Sequence, residues 1–325
     1  METKNTYKLS YKEMIRRYGT VAAALVILVF FSITAKNFMT FGNIFMLLRQ
    51  MSILTIISLG FTFVMAAGGF DMSLGNNVGL VSIIFAIICI NTGSFLLAFI
   101  IALVIGLIIG SINGGLVAYV GLPDFIGTFA VGTIVYGLKM LITKGNPIFF
   151  SADISKVFLF IGQGYIGPVP FPVILMILYA ILAAFIMEKT VFGRRIYAIG
   201  GNPVASVFAG IKTKRYRFIS FVISGLSVAF AAVVMASRLG SAQPLAGEDL
   251  LLDAISVVFL STTMFGEGEP TAKGTFVAAF IITMLTNGLT MLNVAYYFQY
   301  ITKGLVVILA VLVSVSLGQK LRVKF

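Results

Sequence analysis

The sequence predicts an all-α fold, a polytopic helical membrane protein with about ten transmembrane helices. Three observations predict it. Of the 325 residues, 59% are hydrophobic and only 10% are charged, with a mean hydropathy of +1.07; a soluble domain carries about 25% charged residues. Apolar runs of about 18 residues or more, enough to cross a bilayer, recur along the chain. Lysines and arginines gather in a few segments between those runs, as they do in cytoplasmic loops. The alternation over about ten residues that marks an outer-membrane barrel is absent.

The first run, 18–35, follows Lys4, Lys8, Lys12, Arg16 and Arg17. It exceeds the ~7–15-residue core of a signal peptide, so it reads as a retained span. The second run, 43–67, ends at Gly68-Gly69, and Asn91-Thr92-Gly93 separates the third, 73–90, from the fourth, 94–120. Gly121-Leu122-Pro123-Asp124 breaks the chain before the fifth, 125–142. A weakly apolar loop, 143–170, carries Pro147, Pro168 and Pro170. The sixth and seventh spans, 170–187 and 218–237, flank a basic segment. The short run 249–264 is an eighth span or a re-entrant segment, and 274–292 and 300–317 complete the set.

With an even number of spans and the N-terminus inside, cytoplasmic segments collect most cations and leave seven of the 23 Lys and Arg elsewhere. One transmembrane domain over 1–325 is expected, with a cytoplasmic N-terminus at 1–17, a cytoplasmic segment at 188–217, a cytoplasmic tail at 318–325, and 143–170 outside. This topology accounts for the +12 net charge, so no nucleic-acid partner is expected. The lone Cys89 excludes a disulfide framework, and the lack of histidine removes the commonest general base and metal ligand. No GxxxxGK[ST] sequence occurs, so the chain is not expected to hydrolyse ATP by itself. Neither a metal nor another cofactor is expected.

The basic segment 193–217 is the one long polar stretch between very apolar ones. Arg194 and Arg195 precede, and Lys212, Lys214, Arg215 and Arg217 follow, a small motif. Gly200-Gly201 breaks the chain, Asn202 is a good N-cap, and Pro203 suits the first helical position. Val204, Ala205, Ser206, Val207, Phe208 and Ala209 give about two turns, and Gly210 sits at a left-handed stop. So short a helix needs a partner surface; a cytoplasmic loop with a chance helical turn is the competing reading. Gly68-Gly69-Phe70-Asp71-Met72-Ser73 ends one helix, and Asp71 and Ser73 are placed to cap the next. It reads either as a helix break facing a solvated path or as a plain capped turn. Asp71, Asp253 and Asp124 are the acids within or beside spans, none with an obvious cation neighbour in sequence. That pattern weakens a proton-coupled carrier. Gly106 and Gly110, continuing to Gly114-Gly115, match GxxxG spacing, better suited to packing within the chain than to a dimer face.

Three blocks carry a resemblance: Gly68 to Gly75; Gly193 to Ile211 with Ala198, Gly200, Asn202, Ala205, Gly210 and Ile211; and Ser241-Ala242-Gln243-Pro244 through Leu252-Asp253-Ala254-Ile255, then Asn287-Gly288-Leu289 and Tyr297-Phe298-Gln299. In order and on this topology, they resemble the permease subunits of ribose/xylose/arabinose-type sugar ABC importers. The resemblance implies a type II-like ABC importer permease in the bacterial cytoplasmic (inner) membrane. Two permease copies, a homodimer or a pair with a close relative, would sit on a separate ABC ATPase subunit. A periplasmic or lipid-anchored solute-binding protein would deliver the sugar. It makes Asn202–Gly210 the ATPase-coupling helix; Gly68, Gly69, Asp71, Ser73 and Asp253 are the candidates for the translocation path or helix break. One departure stands out: Ser261-Thr262-Thr263-Met264-Phe265-Gly266-Glu267-Gly268-Glu269-Pro270 replaces a glycine-rich family pattern. The other readings are a secondary carrier, or an ABC permease for a nucleoside or amino acid.

Overall fold

The computed structural model describes residues 24–150, 156–264 and 268–316. Helix α1 is described over Ala24–Thr34. Then come α2 (Phe41–Ala66), α3 (Leu74–Thr92), α4 (Phe95–Gly114, continued by a π-helical turn Gly115–Val120) and α5 (Asp124–Thr143). A connecting region holds β1 (Ile148–Phe149), α6 (Lys156–Gln163), β2 (Tyr165–Ile166) and β3 (Val169–Pro170). The second half comprises α7 (Phe171–Lys189), α8 (Val191–Gly201), α9 (Pro203–Phe208), α10 (Thr213–Leu239), β4 (Ser241–Ala242), α11 (Glu248–Thr262), α12 (Ala272–Met291) and α13 (Tyr296–Ser316). Among the described residues, seven helices are long and apolar enough to cross a membrane: α2, α3, α4 with its π turn, α5, α7, α10 and α12.

Helices α2, α3 and α10 form the centre, with 67% of their apolar windows buried against 28% for α4 and α7. The centre is not purely apolar. Ser52 and Thr62 of α2 are buried, and each hydroxyl donates to the carbonyl four residues back, Leu48 O and Ser58 O, at 2.7 Å. This satisfies polar groups where no water competes and keeps the helix narrow for its neighbours. The glycine spacing of α4 serves packing within the chain. Gly106, Gly110 and Gly114 lie against Gly225, Phe221 and Phe218 of α10, and a Cβ on Gly110 would fall 2.6 Å from Phe221 O.

Two non-helical stretches enter the bundle from opposite ends. Residues 67–73 climb along α5: Phe70 N–H donates to Asp124, Met72 N–H to Thr128, and Ser73 lies against Gly132. Eight helical residues separate Asp124 from Gly132, a climb of about 12 Å. Residues 240–247 descend along α3, with Ala242 against Ile83 and Ala86, Pro244 O against Gly79, and Gly247 against Gly75. That descent is about 16 Å. Helices α3 and α11 therefore both begin inside the bundle, where their first turns touch. The shortness of the 249–264 run has its reason here: a helix of 15 residues is preceded by β4 and a turn that cover the remaining depth.

Four local expectations are corrected. Gly200-Gly201, expected to break the chain, are the last residues of α8, which also holds Arg194 and Arg195; and the seventh span, expected from 218, starts at Thr213, so Lys214, Arg215 and Arg217 are its first turns. The reason is that α8 packs Ile196 and Ile199 inward and α10 simply extends past the apolar run. Ser73 makes no side-chain cap bond to α3; its hydroxyl donates instead to Asp71 Oδ1 at 2.6 Å. The 143–170 loop carries α6, and β1 pairs with β4, antiparallel.

Candidate functional site

Helix α9 stands at the end of the bundle opposite the β1–β4 ladder, and both its ends are closed as expected from the sequence. Asn202 Oδ1 accepts the Ala205 N–H at 3.0 Å, and Pro203 opens the helix. Gly210 is left-handed at φ +76. The Ile211 N–H reaches Ser206 O and the Gly210 N–H reaches Val207 O, each at 3.0 Å. That pair of bonds is a Schellman stop. Ser206 turns inward, whereas Val204, Ala205, Val207, Phe208, Ala209 and Gly210 are exposed, Phe208 by 87%. Ala205 and Phe208 share a face.

The helix is anchored to the break after α2. Gly200 of α8 packs directly on Ala66 and Gly68, and a Cβ there would collide with Ala66 O. Gly68 itself is left-handed at φ +71. A cleft of about 730 Å³ is lined by Gly68, Asp124, Gly200, Asn202, Pro203 and Arg217. Asp124 is its centre. Its carboxylate takes Arg217 at 2.7 and 2.8 Å and also the Phe70 N–H at 3.0 Å, so one side chain ties α5, the start of α10 and the break together. Gly69 lies beside the same carboxylate. On the far side of α8, Tyr197 donates to Pro270 O at 2.9 Å, and burial pushes its phenol above the ordinary value, with the charges of Glu269 and Glu188 adding to it.

Deeper along the break, Asp71 is 1% exposed and meets no cation among the described residues. Its carboxylate is held by donors instead: Ser73 N–H at 2.9 Å, Ser73 Oγ at 2.6 Å, Ser224 Oγ at 3.3 Å and Asn113 Nδ2 at 3.4 Å. Such a charge is tolerated because several donors face it. Asp71 and Ser73 thus join the break to α4 and α10.

Asp253 lies apart from these residues. It pairs with Lys303 of α13 at 2.7 Å, both side chains about a tenth exposed, and faces a cavity of about 480 Å³. Sequence reasoning missed this pair and a second buried cation, Lys139. Lys139 is fully buried, with Asn76 Oδ1 at 2.9 Å and Glu248 at 3.4 Å. The available signal was a lysine within an apolar run, which is costly in a membrane and demands a partner. The partners lie 50 or more positions away, so spacing did not reveal them. Among the described residues, no three Asp, Glu, Cys or His side chains stand close enough to hold a metal ion.

Comparison with known proteins gives the lineage. Residues 43–312 match the family model described as branched-chain amino acid transport system / permease component. The ribose import permease protein RbsC of Bacillus subtilis is 38% identical, with 94% of this chain and 95% of that protein covered. The D-allose transport system permease protein AlsC of Escherichia coli is 33% identical, covering 91% and 90%. The xylose transport system permease protein XylH of Haemophilus influenzae is 31% identical, covering 94% and 97%. No solved structure matches. With the match running through nearly every helix from α2 to α13, the chain belongs to the family of branched-chain amino acid transport system permease components.

Proposed function

We propose that the chain is the membrane subunit of an ABC importer for a small sugar, delivered by a solute-binding protein and driven by a separate ATPase. It works as a multi-pass inner-membrane protein of ten spans, with α1, α11 and α13 joining the seven long helices. Both termini and α8–α9 lie in the cytoplasm, and the β1–β4 ladder faces outside. Two permease copies make the path. The likeness to ribose, allose and xylose permeases over nine-tenths of the chain supports the substrate class. The positive-inside distribution supports the orientation.

The observation that carries the reading is α9, a doubly capped helix whose Val204, Val207 and Phe208 stand exposed by 65%, 57% and 87%. An apolar face held rigid at the end of a membrane bundle suits a groove in an ATPase. Motion of α9 would pass through Gly200 and Arg217 to Gly68, Asp124 and Phe70, the residues at the break.

In the test, Ala205→Arg places a bulky cation on that face. Overpacking typically costs ~1–3 kcal/mol, and the charge adds to it. Normal membrane insertion is expected, with loss of ATPase co-purification and of uptake of D-ribose, D-allose or D-xylose; Lys212→Arg is the silent control. An Ala205→Arg protein that keeps both activities removes α9 from the mechanism. The Asp253–Lys303 pair is the observation favouring a self-powered carrier. Uptake by the permease alone, without ATPase or binding protein, decides for that reading.

A further inference from the structure

The cavity between α2, α10, α11 and α13 is a second site, distinct from the cleft at α9. Arg238, at the last turn of α10, borders it, and the Arg238 carbonyl accepts from Gln163 of the connecting region at 3.2 Å. That places it at the end of the bundle bearing the β1–β4 ladder. Its volume, about 480 Å³, falls in the ~300–1,000 Å³ range of small-molecule sites. Two carboxylates, Asp249 and Asp253, face two cations, Arg238 and Lys303, so the formal charges cancel. Two of the four are already answered within the Asp253–Lys303 pair, and Asp249 accepts from the Tyr300 hydroxyl. The side chains of Gln50 and Arg238 have no hydrogen-bond partner among the described residues. A lining with no net charge, free donors, acceptors already fixed in place and a tyrosine ring suits a solute that is itself neutral and rich in hydroxyls.

We propose that this cavity is the outward-facing docking site of the importer, receiving a neutral polyhydroxylated solute on the first two turns of α11. The inference rests on the importer reading and adds the residues that meet the solute: Gln50 and Arg238 as donors, Asp249 and Asp253 as acceptors. Helix α11 starts at this cavity and ends beside Gly69 and Gly200, where Phe259 and Thr262 line a crevice with them. A solute seated on Asp249 and Asp253 therefore touches the helix whose other end adjoins α8.

The test uses the complete complex of permease, ATPase and binding protein in proteoliposomes, with radiolabelled D-ribose, D-allose and D-xylose as probes and leucine as the competing class. On a Cys89→Ser background, Gln50→Cys is treated from outside with a charged thiol reagent. Asn91→Cys, exposed at the end of α3, is the labelled control. Uptake by labelled Gln50→Cys is expected to fall by about tenfold or more, while ATP hydrolysis stimulated by the loaded binding protein persists and Asn91→Cys is unchanged. Asp249→Asn gives an independent arm, with a loss of about tenfold expected for a lost hydrogen bond to a hydroxyl. Wild-type uptake with unimpaired labelled Gln50→Cys and Asp249→Asn overturns the site and leaves the importer reading standing. A wild-type complex that imports leucine and none of the sugars overturns the solute class. A wild-type complex that imports nothing overturns the importer reading and this inference together.

Discussion

Asp71 and Asp124 lie on the same seven-residue stretch of contacts yet are held in opposite ways. Asp124 has a guanidinium and a backbone donor; Asp71 has only neutral donors, four of them, in a fully buried position. Removing the Asp71 carboxylate leaves the Ser73 N–H, the Ser73 hydroxyl and the Ser224 hydroxyl without their acceptor, at a cost of about 1–3 kcal/mol per group left unpaired, while Asn113 keeps the Ser73 oxygen at 2.8 Å. Removing the Ser73 hydroxyl takes one donor from Asp71 and leaves three; it also takes the acceptor of the Asn77 and Asn113 amides, neutral groups that cost less to leave unpaired than a carboxylate, and Asn113 still reaches Asp71. Asp71→Ala is therefore expected to lower transport and the melting temperature of the detergent-solubilised protein more than Ser73→Ala. Equal behaviour of the two variants in both assays would reduce Asp71 to a tolerated turn residue. The sequence marked Asp71 through the glycines before it and the serine after it. It did not mark Ser224 and Asn113, because contacts between helices leave no trace in local spacing.

At the scale of the element, α9 was fully legible because caps are local: Asn202, Pro203 and Gly210 each act within four residues. Gly210 is the position where only glycine fits comfortably, at φ +76 with open space around it. Gly210→Ala brings no collision, only the left-handed backbone penalty of roughly 1–2 kcal/mol. The expected result is a frayed α9, seen as faster amide exchange from Val204 to Phe208 and weaker ATPase co-purification. Gly210→Asn, better tolerated in that region, is expected to fall between alanine and wild type. Exchange unchanged in Gly210→Ala would show that packing on α8, and not the stop, holds the helix. The bounds of α8 and α10 were less legible. Arginines at a helix start look like loop to a hydropathy reading, whereas here they are ordinary helix formers continuing from an apolar core.

For the whole molecule, the ten apolar runs read from the sequence each have a helical counterpart among the described residues, though seven reach the length and hydropathy of a span. What the sequence did not convey is that α3 and α11 both begin inside the bundle, each preceded by non-helical chain packed along a neighbouring helix. A hydropathy window sees composition, and 67–73 and 240–247 are polar enough to pass for loops between spans. The orientation is checked by thiol labelling on the Cys89→Ser background. Asn146→Cys, beside β1, is expected to react only from outside, and Lys212→Cys, before α10, only from the cytoplasm. Reaction of Asn146→Cys from the cytoplasmic side alone would invert the topology and place α9 out of reach of any ATPase.

The glycine seam between α4 and α10 has a consequence in time. Gly110 and Gly225 touch backbone to backbone, yet about 115 residues separate them along the chain. At a synthesis rate of ~5–20 residues per second, α4 waits roughly 6–23 s for its partner to leave the ribosome. In that interval Asn113 already has Ser73 to bond, so α3 and α4 can pair early and keep their polar groups satisfied. The groove meant for Gly225 faces lipid until α10 arrives and displaces it. The nascent chain is thus most vulnerable to capture or proteolysis between the emergence of α4 and that of α10, and a pause in translation there lengthens the exposure directly.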